Sequence, residues 1–221
     1  MNKRIWELDA IRGLCILGMI GVHAVYDLQL PTGPVFAFVQ NWGGVLFFLL
    51  SGLCVTLGSR PAKRGLLVFG AGLICSIVTW LMGELSLLPA HAVIRFGVLH
   101  CLGLCMLLWP AFWKLSICLL VALGAALAVL GIWLTECVVG FSGFAWLGLR
   151  YPGYSSGDYF PLLPYLGFFL LGAVLGRVLY REKKSLMPNL GNFWLFRALQ
   201  WCGRHSLILY LLHQPVLMLL L

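Results

Sequence analysis

The sequence predicts an all-α fold: a polytopic membrane helical bundle of about seven transmembrane helices, forming a single integral membrane domain over residues 1–221. Composition supports this class, because 62% of the residues are hydrophobic, only 10% are charged, and the mean hydropathy is +0.98. A soluble domain carries roughly 25% charged residues. The apolar runs approach the ~20 residues that cross ~30 Å of hydrocarbon, and they leave no room for a sizeable soluble domain.

Seven apolar runs follow one another along the chain. The predicted spans are 5–28, 36–58, 65–83, 94–112, 115–135, 160–180 and 204–221. Six or eight spans remain open alternatives, chiefly because of residues 135–160. The first run has no small-residue cleavage site and is interpreted as a retained span. Residues 190–202 have the pattern of a short amphipathic helix lying at the membrane surface.

The distribution of basic residues predicts the orientation. With the N-terminus in the cytoplasm, the inner loops hold Lys3, Arg4, Arg60, Lys63, Arg64, Lys114, Arg181, Lys183, Lys184 and Arg197. The outer loops hold only Arg95 and Arg150. Basic residues favour the cytoplasmic side, so Leu221 is expected outside. The net charge of +8 is therefore a topology signal, with membrane lipid as the partner and no nucleic acid.

The first span carries ionisable groups near both of its ends. At 100° per residue, Asp9, Arg12, His23 and Asp27 fall on one helix face. Asp9 and His23 are about 21 Å apart along the axis at 1.5 Å per residue. Charged groups inside a bilayer are costly unless they face a partner or water, and they usually mark a functional site.

The predicted outer half collects polar residues from several spans. They are His23, Asp27, Glu84, Arg95, His100, Asp158, His213 and Gln214. A lone histidine in a helix is more often a satisfied core residue. Several ionisable groups at one depth instead favour a shared polar pocket that opens to the outside.

The predicted inner half collects Asp9, Arg12, Arg204 and His205, and two interpretations stay open. In one, Asp9 and Arg12 neutralise each other at a spacing of three residues, and Arg204 extends to the surface. In the other, these cations bind an anionic ligand from the cytoplasm, since the guanidinium fork suits phosphate. No metal site is predicted, because His100, Cys101 and Cys105 do not have a zinc spacing.

Motifs along nearly the whole chain resemble those of one family. They are Leu8–Gly13, Gly21–Asp27, Phe47–Gly52, Ile94–His100, Asp158–Tyr165 and Gly203–Pro215. In this order they resemble a bacterial membrane-protein family grouped with the catalytic domain of heparan-alpha-glucosaminide N-acetyltransferase. The resemblance implies a transmembrane acyltransferase of the bacterial inner membrane. Such an enzyme would move an acyl group, most simply acetyl, from cytoplasmic acyl-coenzyme A to an acceptor at the outer side.

Together, the resemblance and the polar residues give each group an expected role. His23, oriented by Asp27, is the expected general base, with Arg95 or His100 stabilising the oxyanion. The expected substrate-binding residues are Asp158, His213 and Gln214, and the expected donor-binding residues are Asp9, Arg12, Arg204 and His205.

Several alternatives remain open at this level. A small transporter or channel would use the same residues to line a polar path, although no internal repeat supports it. A non-catalytic membrane subunit would only pack against other chains. The acceptor, for which a sugar or glycan is one candidate, and the oligomeric state, for which a homodimer is one candidate, are also left open.

Overall fold

The computed structural model describes residues 5–191 and 193–220, and within them every regular element is helical. The helices are α1 (Trp6–Asp27), α2 (Pro34–Val55), α3 (Pro61–Glu84), α4 (Val98–Phe112), α5 (Ile117–Glu136), α6 (Leu162–Leu179), α7 (Trp194–Arg204) and α8 (Ser206–Leu220). Ala90–Ala92 form a short 3-10 turn. The all-α prediction is confirmed, and each predicted span coincides with one helix.

Not every apolar helix is long enough to cross a membrane alone. Within the described residues, α1, α2, α3, α5 and α6 have the necessary length and hydropathy. Helices α4 and α8 are apolar but have 15 residues each, which is about 22 Å at the α-helical rise. The predicted spans 94–112 and 204–221 were therefore longer than the helices observed there. Lys3, Arg4 and Leu221, on which part of the predicted orientation depends, lie outside the described residues.

Local sequence explains several helix starts. Proline begins α2 at Pro34 and α3 at Pro61, where its missing N–H costs nothing. Ser116 caps α5, since its hydroxyl accepts the amide of Leu119 at 3.3 Å. Helix α7 ends at Arg204 and α8 begins at Ser206, so only His205 separates the two.

The chain forms two compact units. The first contains Met1–Leu50 and Arg177–Leu221, and the second contains Ser51–Gly176. That residues 1–221 make a single integral domain stays a prediction.

Within the first unit, α7 packs against α1 at a pair of glycines. A Cβ on Gly13 would overlap the backbone oxygen of Leu199, and a Cβ on Gly203 would overlap the backbone oxygen of Asp9. Only glycine permits two helix backbones to come this close. The opposite side of α7 leaves Trp194 and Trp201 exposed. The predicted amphipathic helix at 190–202 is therefore present as Trp194–Arg204, with one face on α1.

Small residues also set the packing of the second unit. A Cβ on Gly103 of α4 would lie 2.8 Å from the backbone oxygen of Gly65 in α3. A Cβ on Gly167 of α6 would meet the backbone nitrogen of Ala128 in α5. Phe169 and Leu170 are fully buried in this unit. Small residues thus allow the close backbone approach that is typical of helices packing in a membrane.

The contact at Gly13 predicts a stability difference between two glycines of the same helix. Gly13→Ala should lower the thermal unfolding midpoint of the purified protein in detergent, because overpacking costs about 1–3 kcal/mol. Gly21→Ala is the matched control, since nothing lies within 4 Å of its Cβ position. Tryptophan fluorescence on heating provides the measurement, and equal midpoints for the two variants would contradict the account.

Candidate functional site

Most of the polar residues singled out by the sequence fall into three groups in the structure. The first unit holds an arginine cluster of Asp9, Arg12, Gln200 and Arg204. It also holds a histidine cluster of His23, Asp27, His213 and Gln214. The second unit holds the α4 cap, formed by Gly97, Val98, His100 and Asp158. The shared outer pocket expected from the sequence stays a prediction.

The arginine cluster is organised by one carboxylate with two cations. Asp9 Oδ1 lies 3.3 Å from Arg12 Nη1, and Asp9 Oδ2 lies 3.4 Å from Arg204 Nε. Arg204 also donates from Nη2 to Gln200 Oε1 at 3.0 Å, and Gln200 donates to the carbonyl of Gly191 at 2.9 Å. One carboxylate and two guanidiniums leave a net charge of +1. The i,i+3 pair is therefore present, and Arg204 belongs to the same network.

The remaining predicted donor-binding residue lies directly after this cluster. His205 is the residue that follows α7, and its Nδ1 lies 2.9 Å from the carbonyl of Trp201. Its ring is also 4.7 Å from the ring of Trp201, measured between centroids. Each guanidinium has five N–H donors, and Arg12 uses one of them on Asp9. The cluster therefore has donors left for an anion.

The histidine cluster brings two imidazoles from α1 and α8 into contact. The ring centroids of His23 and His213 are 4.9 Å apart, with the rings edge to face at 84°. Nδ1 of His213 bonds the carbonyl of Tyr210. Because a carbonyl only accepts, Nδ1 carries the proton, and Nε2 of the neutral ring is an acceptor. That Nε2 is buried and has no hydrogen-bond partner in residues 5–191 and 193–220.

The carboxylate of this cluster is held by an amide. Gln214 donates from Nε2 to Asp27 Oδ2 at 3.0 Å. Its Oε1 is buried and has no partner in the described part of the chain. His213 Nε2 and Gln214 Oε1 are thus two buried hydrogen-bond acceptors without a donor among the described residues, and each such acceptor costs about 1–3 kcal/mol. Asp27 contacts Gln214 here, whereas the sequence predicted that it orients His23.

The α4 cap gives His100 and Asp158 a structural position. The amide of Gly97 donates to His100 Nδ1 at 3.2 Å, so Nε2 carries the proton and meets Ser76 Oγ at 3.3 Å. Asp158 Oδ2 accepts the amide of Val98 at 2.8 Å, which places a negative charge at the N-terminus of α4. His100 is 3% exposed, and both of its ring nitrogens are engaged. This geometry favours helix capping over the expected oxyanion role of His100.

Arg95 lies against tyrosines of the loop between α5 and α6. Its Nη1 donates to the hydroxyl of Tyr151 at 3.1 Å, and its guanidinium carbon is 5.9 Å from the ring centroid of Tyr154. Burial raises the pKa of Tyr154, and burial together with Tyr154 raises the pKa of Tyr159 to about 12. These phenols therefore keep their protons at neutral pH. Arg95, expected from the sequence to stabilise the oxyanion, contacts tyrosines of this loop.

Glu7 is a buried residue that the sequence reasoning missed. It is 8% exposed and accepts the amide of Leu186 at 2.7 Å and the hydroxyl of Ser185 at 2.8 Å. The neighbouring Trp6 indole donates to the carbonyl of Met187 at 2.8 Å. Together they anchor the loop after α6 to the start of α1. The only available signal was a carboxylate inside an apolar N-terminal run.

The described residues contain no group of three or more His, Cys, Asp and Glu side chains placed to hold a metal ion. The long apolar helices define an integral membrane protein, and its candidate site residues on α1, α7 and α8 form the arginine and histidine clusters. The sequence profile of the family described as heparan-alpha-glucosaminide N-acetyltransferase, catalytic, matches residues 4–215. The chain belongs to this membrane acetyltransferase-like family. No significant match was found among curated proteins or among solved structures.

The Glu7 anchor predicts how the loop at 181–191 responds to proteolysis. Glu7→Ala removes the acceptor for Ser185 and Leu186, so tryptic cleavage at Lys183 and Lys184 should accelerate at least 5-fold, equivalent to roughly 1 kcal/mol. Glu136→Ala is the control, since this residue is exposed at the end of α5. Limited trypsin digestion followed by mass spectrometry gives the rates. Unchanged cleavage in Glu7→Ala would contradict the anchoring role.

Proposed function

We propose that the protein transfers an acyl group, most simply acetyl, from acyl-coenzyme A to an acceptor hydroxyl or amine. The donor binds at the arginine cluster, and transfer takes place at the histidine cluster. The observation that carries this proposal is the buried Nε2 of His213, which lies beside His23 and has no hydrogen-bond partner among the described residues, in a chain that belongs to this family. No metal takes part in the proposed reaction.

The charge of the arginine cluster supports its role in binding acyl-coenzyme A. The arginine cluster has a net charge of +1 and contains Arg12, whose planar fork suits phosphate oxygens. Coenzyme A carries its phosphates at one end and its thioester at the other, joined by an extended pantetheine arm. Asp9 and His23 are about 21 Å apart along α1. This separation is of the same order as that arm, so one donor molecule could reach both clusters.

Hydrogen bonding supports the binding of the acyl acceptor at the histidine cluster. His213 Nε2 and Gln214 Oε1 both need donors, and a hydroxyl or amine supplies them. The family name refers to a glucosaminide, so an amino sugar or related glycan is the acceptor class proposed here. General-base catalysis at such a site contributes typically 10²–10⁴-fold.

The proposed orientation places the arginine cluster at the cytoplasmic side and the histidine cluster at the outer side of a bacterial inner membrane. It is supported by the ten basic residues in predicted inner loops against two in outer loops. An impermeant maleimide should label Ser86→Cys in intact cells and Lys183→Cys only after permeabilisation. The unmodified chain gives the background of the eight native cysteines. Labelling of both positions from the same side would contradict the orientation.

Arg12→Ala tests the donor site. Thiol release from acetyl-coenzyme A, assayed with amino sugars as acceptors, should show a KM for the donor raised about 10-fold, as expected for losing one hydrogen bond to a charged group. The variant should still fold, because Asp9 keeps its contact with Arg204. Lys114→Ala removes the same charge elsewhere and should leave KM unchanged. Equal effects of the two variants would show a general charge effect and overturn the assignment.

A further inference from the structure

We propose that His213, through Nε2, accepts the proton of the attacking acceptor, and that His23 is its packing neighbour. This inference rests on the proposed function and assigns the proton transfer to α8, whereas the sequence assigned it to α1. Three features of the histidine cluster carry it.

The first feature is the fixed tautomer of His213. Its Nδ1 bonds the Tyr210 carbonyl of the same helix. A carbonyl has no hydrogen to give, so the ring proton stays on Nδ1 and the lone pair stays on Nε2. Fixing one nitrogen in this way defines the role of the other. His213 is therefore prepared to accept a proton before any substrate arrives.

The second feature is that no hydrogen bond among the described residues fixes the tautomer of His23. The His23 ring makes an edge-to-face contact with His213, at 4.9 Å between centroids, but no hydrogen bond to any described residue. Asp27, one helical turn further along α1, bonds Gln214. Nothing among the described residues selects a tautomer for His23.

The third feature is the second buried acceptor on the next residue of α8. The carboxylate of Asp27 only accepts, so the NH₂ of Gln214 must face it and Oε1 must be the free atom. An acyl-acceptor group that carries two hydrogens, above all an amine, can donate one hydrogen bond to His213 Nε2 and one to Gln214 Oε1. Gln214 is thus a positioning residue, and Asp27 places a negative charge close to the imidazolium that forms on His213.

The chemical step balances without another reactant. The acceptor oxygen or nitrogen attacks the thioester carbonyl carbon, and its proton moves to His213 Nε2. The new bond forms as the carbon–sulfur bond breaks, and the leaving thiolate takes the proton from Nε2. The products are the acylated acceptor and coenzyme A, and His213 returns to its neutral form.

Three histidine-to-glutamine variants of the full chain in liposomes test the assignment. His213→Gln should lower kcat for thiol release from acetyl-coenzyme A at least 100-fold, with donor affinity unchanged. His23→Gln should lower kcat less than about 10-fold, because it removes a packing contact. His91→Gln is the matched control, since His91 is exposed in the 3-10 turn and should behave as wild type. A His213→Gln variant with wild-type kcat, or a larger loss in His23→Gln, overturns the proposal.

A second measurement does not depend on activity. In the wild-type chain labelled with ¹⁵N-histidine, the His23→Gln, His91→Gln, His100→Gln and His205→Gln variants assign the signals of the other four histidines. The remaining signals belong to His213, and their shifts report its tautomer. The expected neutral form carries its proton on Nδ1, and a proton on Nε2 overturns the proposal even if His213→Gln fails to fold. A wild-type protein that releases no thiol with any amino sugar would instead refute the proposed function, and with it the catalytic role of His213.

Discussion

The carboxylate of Asp9 is the constraint on which the first unit depends. A carboxylate that is mostly removed from solvent needs cations close by. Asp9, whose side chain is 13% exposed, has Arg12 on its own helix and Arg204 from α7. Arg204 comes this close because Gly13 and Gly203 let the two backbones touch. Since only His205 separates α7 from α8, fixing α7 also fixes the start of α8, the helix that carries His213.

The sequence was sufficient to predict the helices, because an apolar run of about 20 residues and an amphipathic pattern are local features of the chain. The sequence could not predict which polar side chains contact one another, because these contacts join residues far apart in the chain. Arg204 lies 195 positions after Asp9, and nothing in either segment specifies the other. His100 shows the same difficulty: a histidine at a helix start was expected in catalysis, but its two nitrogens hold Gly97 and Ser76.

The histidine cluster shows where sequence reasoning about the site was partly sufficient. It selected His23, Asp27, His213 and Gln214, and the structure brings these four together. Which of these side chains donates and which accepts a hydrogen bond depends on their partners, and the partners are known only from the fold. The Tyr210 carbonyl and the Asp27 carboxylate only accept hydrogen bonds. They therefore leave His213 Nε2 and Gln214 Oε1 as acceptors that have no donor within the described part of the chain. That pair of atoms gives the site a chemical preference for a group that donates hydrogen bonds.

The central claim is that α1 connects a donor site at one membrane face to a transfer site at the other. The most direct measurement traps an amino sugar inside liposomes containing the purified protein, selects the population with the arginine cluster facing outward, and adds acetyl-coenzyme A labelled in its acetyl group outside. The account predicts acetylated sugar in the lumen and coenzyme A released outside. Intact acetyl-coenzyme A in the lumen, or no label on the trapped sugar, would contradict it.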